Sequence, residues 1–248
     1  LVDGVPYVDQ FAGTLDHFFD VALFHSFLGS IVSGLGLQVV KKYGRDVFVP
    51  MLLGFYKEPR EEKRIFMFMD LKSSTTIAER LGHIRYSAFV RDFILDVNQC
   101  LDLYNANAYQ YVGDEVVLTW RCSKEHSMNC IDFFVACRTR ISRRNAYYEG
   151  HYGHLPHFKA GVECGIVTAV EIGDIKRDIA YHGDTLNTAA RIQGMCNEVG
   201  SDLLVSENFI DELGMQSVFH ISSLGEFALK GKDKPVEIFS VSDRVAVK

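Results

Sequence analysis

The stretch RIFMFMDLKSSTTIAERLG, residues 64–82, decides the fold. Ile65 to Met69 is an unbroken apolar run that stops at Asp70, the pattern of a central strand buried on both faces. Ser73 to Thr76 are N-cap residue types. Behind them apolar residues return at helical steps, at Ile77, Leu81, Phe89, Phe93, Val97, Leu101 and Tyr104. The stretch therefore predicts a buried strand, a carboxylate at its end and a long helix.

Downstream, Tyr109 to Val112 and Val116 to Trp120 read as two strands joined through Gly113 and Asp114, a hairpin with a carboxylate at its tip. A helical stretch follows over about 128–147, strands over 158–163 and 166–170, and a helix over about 188–197. Short strands are expected near Leu203, near Phe227 and from Pro235 to Val241. This order predicts an α+β sheet containing antiparallel strands with helices on one face. A doubly wound parallel sheet does not fit, and no G-x-G-x-x-G or G-K-[ST] loop is present.

The chain has 248 residues and a net charge of −6, which argues against a broad nucleic-acid surface and leaves room for a small polyanion whose charge a cation masks. Its six cysteines form no C-x-x-C pair, so reduced thiols in the cytosol are expected. Cys122, His126 and Cys130, or His151, His154 and His157, could be drawn as zinc sites, but neither set supplies four convincing ligands. The chain opens on Leu1 rather than Met, as expected of a fragment.

Before the charged stretch KEPREEKR (residues 57–64) lies VALFHSFLGSIVSGLGLQVV (residues 21–40), without a formal charge and followed by Lys41, Lys42 and Arg45. It reads either as a membrane span with a cytoplasmic basic flank or as a buried or dimer-forming soluble helix. Residues 1–63 are thus expected to be a helical segment and linker, and 64–248 the main domain.

Asp70 and Asp114 carry the chemistry. If they converge within ~4 Å, their repulsion is about 4 kcal/mol at an effective dielectric near 20, so a proton or cation must sit between them. Magnesium suits hard oxygen ligands and phosphates. The helix start at Ser73, Ser74 and Thr75 offers free amides as a phosphate cradle, while Lys72 reads as a solvated neighbour.

Four segments together, RIFMFMDLKSSTTIAERLG, YQYVGDEVVLTW, YHGDTLNTAARIQ and FALKGKDKPVEIF, resemble the motifs of class III adenylate and guanylate cyclases over about residues 64–241. GRDVFVPMLLGFYKEPREE, residues 44–62, is similar to bacterial members joined to a membrane region. The resemblance implies a ferredoxin-like α+β domain acting as a head-to-tail homodimer with shared sites, and a cytoplasmic catalytic domain. It implies that ATP, or GTP, is converted to the 3′,5′-cyclic monophosphate and pyrophosphate with two Mg²⁺ or Mn²⁺ ions per site. By the same resemblance Asp70 and Asp114 hold metal, Asn187 orients the ribose, Arg191 steadies the transition-state phosphate, and Lys230 holds the terminal phosphates. The last three come from the opposite protomer.

The chain departs from the family at the base-reading pair. Gln110 stands where adenine-selective members carry Lys and guanine-selective ones Glu, and Ala180 stands where Asp or Thr is usual. ATP is the first expectation. A guanylate or mixed-specificity cyclase, or a degenerate regulatory dimerisation module, remains the alternative. A palm-type diguanylate cyclase also pairs such acids but has no place for LNTAAR.

Overall fold

A computed structural model of the chain describes residues 7–43, 49–50, 53–175, 177–214, 219–232 and 234–244. It divides into two compact units, Leu1–Phe55 and Tyr56–Lys248.

The first unit contains α1, Tyr7–Tyr43. Within it His17–Gln38 is long and apolar enough to cross a membrane, with 22 residues and a mean hydropathy of 1.5. Its large apolar side chains, from Phe18 to Leu37, are exposed. The polar side chains return to their own backbone: His25 Nδ1 donates to the Val21 carbonyl at 2.8 Å, and Ser30 Oγ to the Ser26 carbonyl at 2.9 Å. Such bonds lower the cost of polar groups in an apolar medium. Arg45 of the basic flank lies outside the described residues, as do the side chains of Lys41 and Lys42.

The second unit is built on β1, Arg60–Leu71, which begins inside the charged stretch. Ile65, Phe66, Met67 and Met69 have no exposed surface, so successive side chains are buried on opposite faces. The other strands are β2 (Asn107–Val112), β3 (Glu115–Arg121), β4 (Phe158–Ile172), β5 (Asp178–His182), β6 (Leu203–Ser206), β7 (Phe219–Phe227) and β8 (Val236–Arg244). They form one sheet in the order β2-β3-β1-β4-β6-β8-β7, with β5 pairing the far end of β4. Among the described residues only β4–β6 is a parallel pair. The strands expected over 158–163 and 166–170 are one continuous strand, because β4 pairs with β1 without a break from Phe158 to Ala169. β5 was not foreseen.

Four helices lie on one face: α2 (Ser74–Leu101), α3 (Lys124–Arg143), α4 (Asn145–Tyr152) and α6 (Glu207–Leu213). Phe89 and Phe93 of α2, Phe133 and Phe134 of α3 and Phe209 of α6 join Ile65, Met67 and Trp120 in one core. Gly82 breaks the helical run of α2 at φ 73° and ψ 164°. Asp92 and Asp96 of α2 are buried yet satisfied: Tyr147 and Tyr152 each donate to Asp92 at 2.6 Å, while Tyr148, Arg140 and Arg144 bond Asp96.

The fifth helix, α5 (Asp184–Val199), corrects the expectation of helices on one face. It packs on the opposite side, where Ile192 and Cys196 meet Leu204, Leu229 and Ile238 in a second, smaller core. Gly161 of β4 makes that approach possible, since a Cβ there would come within 2.2 Å of the Gln193 backbone nitrogen and 2.5 Å of the Ala189 carbonyl. Gly161→Ala must push α5 off the sheet, and we expect it to cost about 1–3 kcal/mol. Chemical denaturation checks this, and an unchanged midpoint would contradict the close packing.

The expectation of reduced thiols is corrected at one pair. Cys122 and Cys164 form a disulfide with Cα atoms 6.9 Å apart, while Cys100, Cys130, Cys137 and Cys196 are free and buried. The pair went unseen because 42 residues separate its members, and only the sheet brings the end of β3 over Lys63 toward β4. Burial of Cys130 in the core and bonding of Cys122 also split the Cys122–His126–Cys130 set.

Candidate active site

The register pairs Met69 with Val116 and Asp70 with Lys159, so the end of β1 lies between the β2–β3 hairpin tip and the start of β4. Gly113 turns that tip at φ 65°, a conformation glycine takes without penalty. Asp114 follows it, two residues before the Val116 that pairs with Met69, so its charge acts on Asp70. Burial first, and the Asp114 charge second, push the Asp70 carboxyl above the usual carboxylate range. Two groups oppose this rise. Lys159 Nζ stands 3.9 Å from Asp70 Oδ2, and the Gln193 side-chain amide donates to the same oxygen at 3.1 Å. Glu115 is raised too, by burial and then by the charges of Asp70 and Asp114.

Asp114 Oδ2 is buried without a hydrogen-bond partner. An ionised carboxylate oxygen only accepts, so beside a second carboxylate its complement is a shared proton or a cation. Among the described residues no cluster of three or more His, Cys, Asp or Glu side chains could cage a metal. The pair of aspartates therefore fits an ion that keeps water and phosphate oxygens as its remaining ligands, as Mg²⁺ does.

Immediately beyond Asp70 the chain enters α2. Ser73 is not the side-chain cap its residue type suggests. It adopts the left-handed conformation at φ 56°, which costs a non-glycine residue about 1–2 kcal/mol, and makes no side-chain cap bond. Only its carbonyl joins the helix, accepting from Ile77 N at 3.0 Å. The amides of Ser74 and Thr75 thus start a helix with no acceptor in the preceding turn, beside the two carboxylates. Lys72 turns away to pair with Asp202.

Asn187 and Arg191 ride on α5, seated by Gly161 and by Thr185, whose hydroxyl donates to the Ile166 carbonyl at 3.0 Å. The fold joins the motifs LNTAAR and LKGK. Gly231, at φ 75°, covers the Arg191 guanidinium so closely that a Cβ would lie 3.3 Å from Nη2. Lys232 binds Asp184 Oδ2 at 2.6 Å, Arg191 Nη1 lies 3.9 Å from Asp184 Oδ1, and Lys230 projects exposed from the same turn.

Among the described residues the hydrogen bonds and ion pairs of Asp70 run to Gln193 and Lys159, not to this group. Gln193 marks the side of α5 that meets Asp70, and Asn187 and Arg191 stand about 120° and about 160° around the helix from it.

Gln110 is exposed on β2, where it pairs with Val117. A register shift between Ala108 and Gln110 places Tyr109 on the same side of the sheet, against Phe66 and Tyr181. The Tyr181 amide donates to Tyr109 Oη at 3.2 Å, and the Arg64 guanidinium sits 4.7 Å over the Tyr181 ring. Ala180, 7% exposed, faces away from Tyr181 by strand alternation.

Gln193, Lys159 and Gly161 were missed from sequence. Only Gly161 carried a signal, since an isolated glycine in a strand marks close backbone approach.

The family described as "Adenylate and Guanylate cyclase catalytic domain" matches residues 56–242. Adenylate cyclase 2 of Rhizobium meliloti (strain 1021) is 31% identical over 207 residues, covering 83% of this chain and 57% of the relative. The adenylate cyclase of Anabaena cylindrica is 22% identical over 71% of this chain and 36% of its own length. The chain thus spans little more than half of the first relative and about a third of the second. Among solved structures, the adenylyl cyclase CyaB from P. aeruginosa superposes with a TM-score of 0.67 at 19% identity, covering 76% of this chain and 98% of that one. The guanylate cyclase domain of RhGC from Catenaria anguillulae, in complex with GTP, gives 0.63 at 18%, covering 75% and 100%. At these identities the structures establish the fold, and they include both adenylyl and guanylyl cyclases.

Proposed function

Because this chain belongs to the family of class III adenylate and guanylate cyclase catalytic domains, we propose that it converts a purine nucleoside triphosphate, ATP first, into the 3′,5′-cyclic monophosphate and pyrophosphate. The observation that carries the reading is the convergence of Asp70 and Asp114, with Asp114 Oδ2 left without a partner. Incubation with ATP or GTP and Mg²⁺ or Mn²⁺, with the cyclic product identified, tests it. Absence of either product would leave a regulatory dimerisation module instead.

In this reading Asp70 and Asp114 hold two divalent ions, which when bound offset the triphosphate charge and favour ionisation of the ribose 3′-hydroxyl. The amides at Ser74 and Thr75, with Ser73 beside them, receive phosphate oxygens at the positive end of α2. The 3′-oxygen, its proton passing to solvent, attacks the α-phosphorus in line, and the bond to pyrophosphate breaks. Protein groups mainly position the ends and stabilise charge. Asn187 orients the ribose, Arg191 meets the charge developing on the α-phosphate, and Lys230 holds the departing phosphates. The direction in which α5 presents Asn187 and Arg191, away from its own Asp70, supports their delivery by a second copy in a head-to-tail homodimer.

Base choice rests on weak contacts. Gln110 can donate and accept, whereas the Ala180 side chain offers neither a donor nor an acceptor. We expect ATP to be preferred over GTP by less than about a hundredfold, under ~3 kcal/mol. Gln110→Lys combined with Ala180→Asp should sharpen that preference. A wild-type enzyme with no measurable GTP turnover would mean that another residue reads the base.

His17–Gln38 we read as a membrane anchor for a cytoplasmic catalytic domain. Buried apolar surface, rather than charge, would then hold the chain in the membrane fraction through a high-salt wash. Monodisperse purification of the same chain without detergent would count against the anchor.

A further inference from the structure

We propose that Gln193 is a positioning residue that holds the Asp70 carboxylate in the orientation a divalent cation requires. The inference rests on the metal reading of Asp70 and assigns a role to a residue to which the family resemblance gave none.

The carboxylate of an aspartate turns about a broad, two-fold torsion, so its chain position alone does not fix where the oxygens point. Two cationic or donor groups touch Asp70 Oδ2. Lys159 Nζ, at 3.9 Å, lies beyond hydrogen-bond length and supplies charge without direction. Gln193 Nε2, at 3.1 Å, supplies direction. Gln193 is 7% exposed, and its backbone is clamped by the approach to Gly161, where a Cβ would lie 2.2 Å from its nitrogen. A donor on so constrained a backbone is poorly able to follow the carboxylate, so the carboxylate must follow the donor. Partners of metal ligands commonly govern metal affinity in this way.

The alternative is that Gln193 only fills space between α5 and the sheet. Gln193→Met separates the two, because it keeps length and volume and removes the donor. The probe is Mn²⁺ alone, without nucleotide, binding to the full chain in detergent and read from the free-ion electron paramagnetic resonance signal. Melting in EDTA reports the fold. We expect Gln193→Met to weaken Mn²⁺ binding about tenfold with its EDTA melting temperature unchanged. In turnover the metal requirement should rise similarly while KM for nucleotide at saturating Mn²⁺ stays within about twofold. Gln193→Ala, which also lacks the donor, should repeat the metal effect and guards against a packing fault peculiar to methionine.

Asp70→Asn is the reference. If it weakens Mn²⁺ binding while both Gln193 variants bind within about twofold of wild type, the positioning role is refuted and the metal reading stands. If Asp70→Asn binds Mn²⁺ like wild type, the metal reading itself fails and the inference falls with it.

Discussion

Asp70→Asn or Asp114→Asn should lower cyclic nucleotide formation at least about a thousandfold, since each removes a metal ligand and with it several kcal/mol of charge stabilisation. The loss should persist in Mn²⁺ as well as Mg²⁺. Fold should survive, because neither carboxylate holds the core together. Burial and then the Asp114 charge raise the Asp70 carboxyl, and burial and then the charges of Asp70 and Asp114 raise Glu115, so the metal-free acids repel one another. In EDTA, Asp70→Asn should therefore melt no lower than wild type: the substitution removes a facing negative charge, and the Gln193 amide can still donate to the Asn oxygen. Dead variants that melt far below wild type would point to a structural role. Near wild-type turnover from either would exclude the two-ion site.

The second large effect concerns two lesions placed in different copies. Asp114→Ala and Arg191→Ala should each be nearly inactive alone, the arginine loss costing ~10³-fold or more by analogy with arginine fingers. Mixed with free subunit exchange, about half the dimers are hybrids, and each hybrid has one undamaged site and one carrying both lesions. Activity should return to about a quarter of wild type. A site built within one chain gives no recovery, because every site then keeps one lesion. Labelled subunits confirm exchange independently, so a flat result would refute the shared site and leave the metal assignment untouched.

Those two tests draw on different levels of the molecule. The strand ending at Asp70 was legible because a stretch buried on both faces must be apolar at successive positions, and Ile65 to Met69 of β1 is. The hairpin was legible because Gly113 and Asp114 interrupt two β-rich runs. Helix boundaries were less clear. α3 and α4 merged into one expected stretch because the break falls at Arg144, where no glycine or proline marks it. Ser73 misled in the other direction: its residue type suits a cap, but its backbone is left-handed and its side chain makes no cap bond.

By itself, then, the sequence determined the composition of the candidate site: two acids at the ends of strand-like runs, an amide-bearing helix start, and the Asn, Arg and Lys of two later motifs. Local patterning suffices for the acids and the helix start, because the periodicity of buried side chains and the chemistry of turn residues act within a few positions; the Asn, Arg and Lys came from the resemblance to the cyclase family. Only the tertiary structure decided which groups meet. It set α5 on the face opposite the other helices, because Gly161 admits its backbone. It thereby aimed Gln193 at Asp70, turned Asn187 and Arg191 away, and laid Gly231 over Arg191. It also brought Cys122 to Cys164. These contacts join residues far apart in the chain through strand register and helix rotation, and a shift of one residue in either would change which face each side chain occupies.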